Sequence, residues 1–317
     1  MKRLNNYISI ALILLLGIFF SIGGGYFLTY SNLMSLTTTM AEFGIMAYGM
    51  MLAIMVSGIN LTLGSVCGLT SLLIITMYKG GVPILVSVFI ALALTLVMGF
   101  ITGMFIVKLK VAPMLMTLAM SMLFTGISYV ISEGNAVSGF PMSYWFLGQE
   151  FILGVPAQTW LLILVTAVMT VLLKCTSWGT KLYAVGNSRT ATLYSGVNID
   201  RVTVSAYVVS ALMAGISGVV MSSRVATARL DLGNSYQTKC IAAVVLGGAS
   251  MAGGSGSPIG TLLGVTIMSM LTNGLNHIGV SPFIQQLILG VLLIAVLIFN
   301  SNILPNLEQR LANRKAA

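Results

Sequence analysis

The chain has 317 residues, of which 57% are hydrophobic and 7% charged, with a net charge of +9 and a mean hydropathy of +1.02. Crossing a hydrocarbon layer about 30 Å thick takes about 20 apolar residues as a helix, so this chain holds about ten crossings and leaves no room for a soluble domain of ordinary size. Continuous rather than alternating apolar runs select helices over barrel strands, because backbone groups in lipid must be satisfied internally. The expected fold is all-α: a polytopic membrane helix bundle forming a single transmembrane domain over residues 1–317.

Apolar segments fall at 7–28, 38–57, 62–78, 83–107, 112–132, 157–174, 203–222, 239–255, 258–276 and 282–300. The first follows Lys2 and Arg3 and continues past a Gly-rich interruption through Phe27, which reads as an uncleaved first helix rather than a signal peptide. The segments around 38–78 and 239–276 are interrupted by glycine and polar residues, the pattern of broken or re-entrant helices. With the N-terminus inside and the crossings alternating, Lys2, Arg3, Lys108, Lys110, Lys174, Lys181, Arg189, Arg201, Arg310, Arg314 and Lys315 fall inside. Lys79, Arg224, Arg229 and Lys239 fall outside. Glu133, Glu150 and Asp231 then face out, and Asp200 and Glu308 face in. This bias places both termini in the cytoplasm. It also makes the positive charge a topology signal rather than a footprint for nucleic acid.

The largest inner loop is 175–202, a polar, basic island in an otherwise apolar chain. Asn187 or Ser188 can cap a short helix there, and Gly196 can end it. The longer outer loops are 133–156 and 223–238. Glu42, near the outer end of the second segment, is either solvated at the interface or faces a pore. Asn60, Thr62, Ser65, Thr117 and Asn273 are neutral polar groups at membrane positions, and they either line a pathway or bond to a neighbouring helix. His277, the single histidine, reads as a surface or capping residue, with no partner set for a metal or a catalytic dyad. Cys67, Cys175 and Cys240 share no ligand spacing and read as packing residues. No cofactor and no metal are expected.

Of 34 glycines, the densest cluster is Gly247, Gly248, Gly253, Gly254, Gly256 and Gly260. A phosphate-binding loop needs a Gly-Lys pair, and the chain contains none, so nucleotide binding by this chain is excluded. Close helix packing, or an irregular turn beside a pathway, remains. A weak internal echo relates 59–74 to 229–245. Each is a short polar turn opening an apolar run, and the two face opposite sides, as an inverted repeat would require.

Four blocks resemble the permease subunits of bacterial ABC importers for monosaccharides, the ribose, galactose and xylose branch that also includes autoinducer-2 permeases. They are Ala242–Gly274 (AAVVLGGASMAGGSGSPIGTLLGVTIMSMLTNG), Tyr183–Asn198, Gly58–Ser65 (GINLTLGS) and Val111–Leu118 (VAPMLMTL). Three sites depart from the family. Asn60 stands where Asp is frequent, Ser57 where Gly is usual, and Gln237-Thr238-Lys239-Cys240 where Glu-Leu-Asp-Ala is typical. These departures bear on the substrate and on pairing with a different permease, more than on the fold.

The resemblance implies a translocation pathway built by two permease copies or by a permease and a paralogue. It also implies a separate ATP-binding cassette subunit and an extracytoplasmic substrate-binding protein. Coupling to the ATPase would fall to Gly186, Asn187, Arg189, Ser195, Gly196, Asn198 and Arg201. Asn60, Thr62, Ser65, Thr117, Gly247, Gly248, Gly253, Gly254 and Asn273 would be pathway or gate residues. The alternatives are an autoinducer-2 or nucleoside permease of the same architecture, and an ion-coupled secondary transporter. The last would carry intramembrane Asp, Glu or His, which are scarce here. An intramembrane enzyme would need paired catalytic groups, and none is visible.

Overall fold

A computed structural model describes residues 2–24 and 27–298. Glu308, Arg310, Arg314 and Lys315 lie outside the described residues, as do the side chains of Lys2 and Arg3. The elements in order are α1 (Lys2–Gly24), α2 (Tyr30–Met55), α3 (Leu63–Lys79), α4 (Ile84–Leu109), α5 (Pro113–Ser132), α6 (Met142–Gln149), α7 (Ala157–Cys175), α8 (Ser177–Asn187), α9 (Arg189–Tyr194), α10 (Ile199–Val225), α11 (Asn234–Leu246), α12 (Pro258–His277) and α13 (Pro282–Ile298). Four two-residue strands complete the list: β1 (Val137–Ser138), β2 (Phe151–Ile152), β3 (Val155–Pro156) and β4 (Thr227–Ala228). The fold is an all-α polytopic membrane bundle.

Six of these helices, α2, α4, α5, α7, α10 and α12, are long and apolar enough to cross a membrane, and α1, α3 and α13 carry shorter apolar stretches. The expected segment 239–255 is helical only to Leu246, because Gly247 and Gly248 follow and Gly248 turns to φ +86°. The thirteen residues of α11 cover about 20 Å at 1.5 Å per residue, short of a full crossing. Conversely, α2 starts at Tyr30 rather than 38. The polar run there stays helical because Thr37, Thr38 and Thr39 donate to carbonyls three or four residues back, which satisfies their hydroxyls within the helix.

Helix α10 is the hub, packed against α2, α3, α4 and α6. Small residues permit the approach. A Cβ on Gly99 of α4 would lie 2.6 Å from the Tyr207 carbonyl, and one on Gly218 of α10 would lie 2.6 Å from the Cys67 carbonyl. Such crossings are how helices associate in lipid, where apolar burial alone supplies no drive. Helices α4, α5 and α7 instead show large apolar side chains outward, Leu85, Phe89, Leu115 and Leu164 among them. That is the face a bilayer covers.

The segment 133–156, expected as a loop, is ordered. β1 pairs antiparallel with β4, and β2 and β3 form a hairpin whose turn residues Leu153 and Gly154 both have positive φ, as a two-residue hairpin turn requires. Tyr144 of α6 is buried, with its hydroxyl 2.7 Å from Ser222 Oγ.

Candidate functional site at the basic end of the bundle

Helices α8 and α9 lie at one end of the bundle, between α7 and α10. Each start is capped by a short polar side chain. Thr176 Oγ1 accepts from Gly179 N (3.4 Å), Ser188 Oγ from Ala191 N (3.2 Å) and Asn198 Oδ1 from Arg201 N (3.0 Å). Ser188 is thus the cap of α9, and Asn187 is the last residue of α8. Ser195 closes α9 and donates to the Ala191 carbonyl (3.0 Å), and Gly196 follows at φ +75°. That left-handed conformation suits a residue without Cβ. The sequence anticipated one short helix over 187–196; α8 is a second, which its buried Leu182 and Val185 seat against the bundle.

The last turn of α8 rests on the backbone of two broken crossings. A Cβ on Gly186 would overlap the Met55 carbonyl and the Gly254 amide nitrogen, with the Gly254 Cα 2.8 Å away. Gly254 N donates to that Met55 carbonyl (3.0 Å), and Ser57 Oγ donates to the Ala252 carbonyl (2.8 Å). The Tyr183 hydroxyl donates to the Gly256 carbonyl (2.7 Å). Burial pushes the Tyr183 phenol above its usual range, so it remains a donor at neutral pH. Gly254 (φ +70°) lies against Asn187, and Gly253 (φ +97°) against Ser57. Ser57 itself holds φ +62°, a left-handed position that costs a non-glycine residue about 1–2 kcal/mol. This is where the resembling permeases carry Gly. The expected coupling residues Gly186 and Asn187 and the expected gate residues Gly253 and Gly254 therefore form one junction.

The other expected positions sort into three places. Asn60, Thr62, Ser65 and Thr117 are all buried near the α2–α3 turn and bonded to protein. Asn60 Nδ2 donates to Ser210 Oγ (2.9 Å), and its Oδ1 accepts from Thr62 N and Oγ1. Ser65 Oγ donates to the Thr62 carbonyl and Thr117 Oγ1 to the Ile59 carbonyl. Gly247 packs against Gly260 where α11 meets α12, and Gly248 ends α11. Asn273 sits at the opposite end of the bundle, in a reciprocal amide pair with Asn32 (3.0 and 2.9 Å). Arg201 is exposed, and Arg189 lines a cavity of about 650 Å³ with Lys110, Pro113, Leu193, Asn198 and Asp200.

Sequence reasoning missed Leu193 and Tyr194, which are 62% and 87% exposed on α9. Two apolar side chains inside the polar island were the available signal. It also missed the site of Glu42. The carboxylate is buried in a two-pronged ion pair with Arg224, whose second contact is 3.1 Å, and accepts from the Tyr236 hydroxyl at 3.0 Å. No local pattern links these residues, which lie 182 and 194 positions from Glu42. His277 ends α12, exposed and edge-on to Phe27. Cys67 and Cys240 are buried and Cys175 is exposed, all free thiols.

Comparison with known proteins identifies the lineage of this junction. Residues 32–297 match the family described as branched-chain amino acid transport system / permease component. The chain belongs to this family. The ribose import permease protein RbsC of Bacillus subtilis is 36% identical over 301 residues, covering 94% of this chain and 92% of that protein. The protein of the same name in Escherichia coli strain K12 is 36% identical over 298 residues, covering 92% of each. The autoinducer 2 import system permease protein LsrD of Escherichia coli O9:H4 is 32% identical over 266 residues, covering 81% of this chain and 80% of that protein. No solved structure matches. The chain is a multi-pass membrane permease component of the ABC importer kind, and its fold is that of a translocation subunit.

Proposed function

We propose that this chain forms the translocation pathway for a monosaccharide. ATP would be hydrolysed by a separate cassette subunit docked on α8 and α9, with substrate delivered from the other side by a binding protein. The observation that carries the reading is the contact of Gly186 with Met55 and Gly254. A push on α8 meets backbone with no intervening side chain, so it passes directly to the end of α2 and to the turn joining α11 and α12. Coupling then falls to Gly186, Asn187, Arg189, Ser195, Gly196, Asn198 and Arg201. Leu193 and Tyr194 act as exposed apolar anchors of the kind a groove on a partner receives. Arg189 and Arg201 offer bidentate partners to carboxylates.

The ends of the described helices support a cytoplasmic assignment for the α8–α9 side, because Lys108, Lys110, Lys174, Lys181, Arg189 and Arg201 gather there. Both termini then lie in the cytoplasm, the chain acts as one transmembrane domain, and 175–202 is its coupling segment. A second copy or a paralogue completes the pathway. The names of the relatives favour a pentose or a similar small polyol over a charged amino acid.

The deciding experiment is co-purification from membranes, followed by reconstitution into vesicles. Recovery of a cassette subunit, and uptake of labelled D-ribose that needs ATP and the binding protein, is the expected result. Uptake by the purified chain alone would sink the proposal in favour of an ion-coupled transporter.

A further inference from the structure

At the end of the bundle opposite α8 and α9, a cleft of about 520 Å³ lies between α11 and α13. Its polar lining is Asn234, Ser235, Thr238, Lys239, Gln285 and Gln286. We infer that this cleft binds a small hydroxyl-bearing anion, with Lys239 as its counter-charge. The inference goes beyond the importer reading, which concerns the imported sugar and not this cleft.

The argument is one of charge balance. Segment 224–239 carries Arg224, Arg229, Asp231 and Lys239. Arg224 is taken by Glu42, and Arg229 by Asp231 at 2.8 Å. Among the described residues no carboxylate pairs with Lys239; its ammonium is held over the Tyr236 ring, 5.3 Å from the centroid. The nearby Glu42 carboxylate is occupied by Arg224 and by that same tyrosine's hydroxyl. Arg224 and Lys239 share one carboxylate, only Arg224 makes an ion pair with it, and Lys239 lines the cleft.

Lys239 is half-buried beside the cleft and makes no ion pair among the described residues. A ring face fixes an ammonium while leaving other N–H directions free. Around it, amides and hydroxyls supply donors and acceptors suited to a polyol, and the volume suits a small molecule. The same chemistry is offered by a sugar acid and by the phosphoglycerol headgroup of an anionic lipid, so the test must separate the two sources.

The full-length chain is placed in nanodiscs of phosphatidylcholine alone or with phosphatidylglycerol, and acetylation of Lys239 is followed by mass spectrometry. Lys79, an exposed lysine ending α3, serves as the reference amine. D-ribonate or phosphatidylglycerol should slow acetylation of Lys239 about tenfold while Lys79 is unchanged, as a charge-assisted contact worth about one decade requires. Protection by D-ribonate assigns a solute site, and protection by phosphatidylglycerol alone assigns a lipid headgroup site. Equal protection by neutral D-ribose and D-ribonate, or protection by neither anion, overturns the inference. Lys239→Gln should lower retention of whichever anion binds by about tenfold in equilibrium dialysis or lipid co-purification; unchanged retention also overturns it. ATP-dependent uptake of neutral D-ribose is scored separately, so the cleft can fail while the importer reading stands.

Discussion

The two ends of the bundle share glycine contacts but differ in the buried polar pairs added to them. At the α8–α9 end, glycines bring backbone against backbone: Gly186 on Met55 and Gly254, Gly247 on Gly260, Gly264 on Ala243. At the other end, glycines also meet backbone, Gly148 on Arg224 and Gly68 on Leu230, but side-chain pairs are added: Glu42 with Arg224 and Tyr236, Asn32 with Asn273, Phe43 stacked on Tyr236 at 5.6 Å. Backbone contacts leave no rotamer to yield, so displacement on one side is transmitted. The buried Glu42 pair ties α2, α10 and α11 by charge rather than by close backbone approach.

The strongest way to break this comparison is Gly186→Leu. The added carbons have no space beside Met55 and Gly254, and uptake should be lost while the chain remains in the membrane at wild-type abundance. Normal uptake would show that the junction is not the route of coupling. The next effect in size is at the other end. Arg224→Ala leaves the buried Glu42 carboxylate without its counter-charge and should cost about 3 kcal/mol, read by denaturant titration in detergent. Glu42→Gln should cost less, about 1 kcal/mol, because Arg224 is 42% exposed and water takes over its charge. Equal losses would mean that the pair does not depend on burial of the carboxylate.

Smaller effects sharpen the picture. Ser57→Ala keeps the left-handed backbone and removes the bond to Ala252, so stability should fall by about 1 kcal/mol. A larger loss would indicate that this single bond locks the two broken crossings together. Ser188→Ala removes the cap of α9 and should cost about 1 kcal/mol locally. It would appear as faster amide exchange confined to 189–194, with the core unchanged.

Much of the architecture was legible in one dimension. Runs of about 20 apolar residues dictate helices because lipid offers the backbone no other partner. Lysine and arginine bias fixed which turns share an end. The polar island announced α9, with its cap at Ser188 and its stop at Gly196, because caps are local. The glycine cluster at 247–260 announced a break, and α11 does stop at Leu246. Where the reading fell short, a local rule met a distant contact. The polar start of α2 was discounted although its threonines satisfy themselves inside the helix. For Asn60, Thr62, Ser65 and Thr117 the sequence leaves a pathway and a neighbouring helix as alternatives, because which one a polar group faces depends on atoms far away in sequence.

By itself, then, the sequence determined the class of fold, the course of most of its helices and the family. Each follows from transfer free energy, charge placement and local backbone preference, which act over a few residues at a time. The tertiary structure alone decided that the end of α8 sits on Met55 and Gly254. It alone decided that Glu42 takes Arg224 and Tyr236 and leaves Lys239 facing a cleft. Those facts rest on approach distances and on the pairing of buried charges between segments far apart in sequence, and no composition or spacing encodes them.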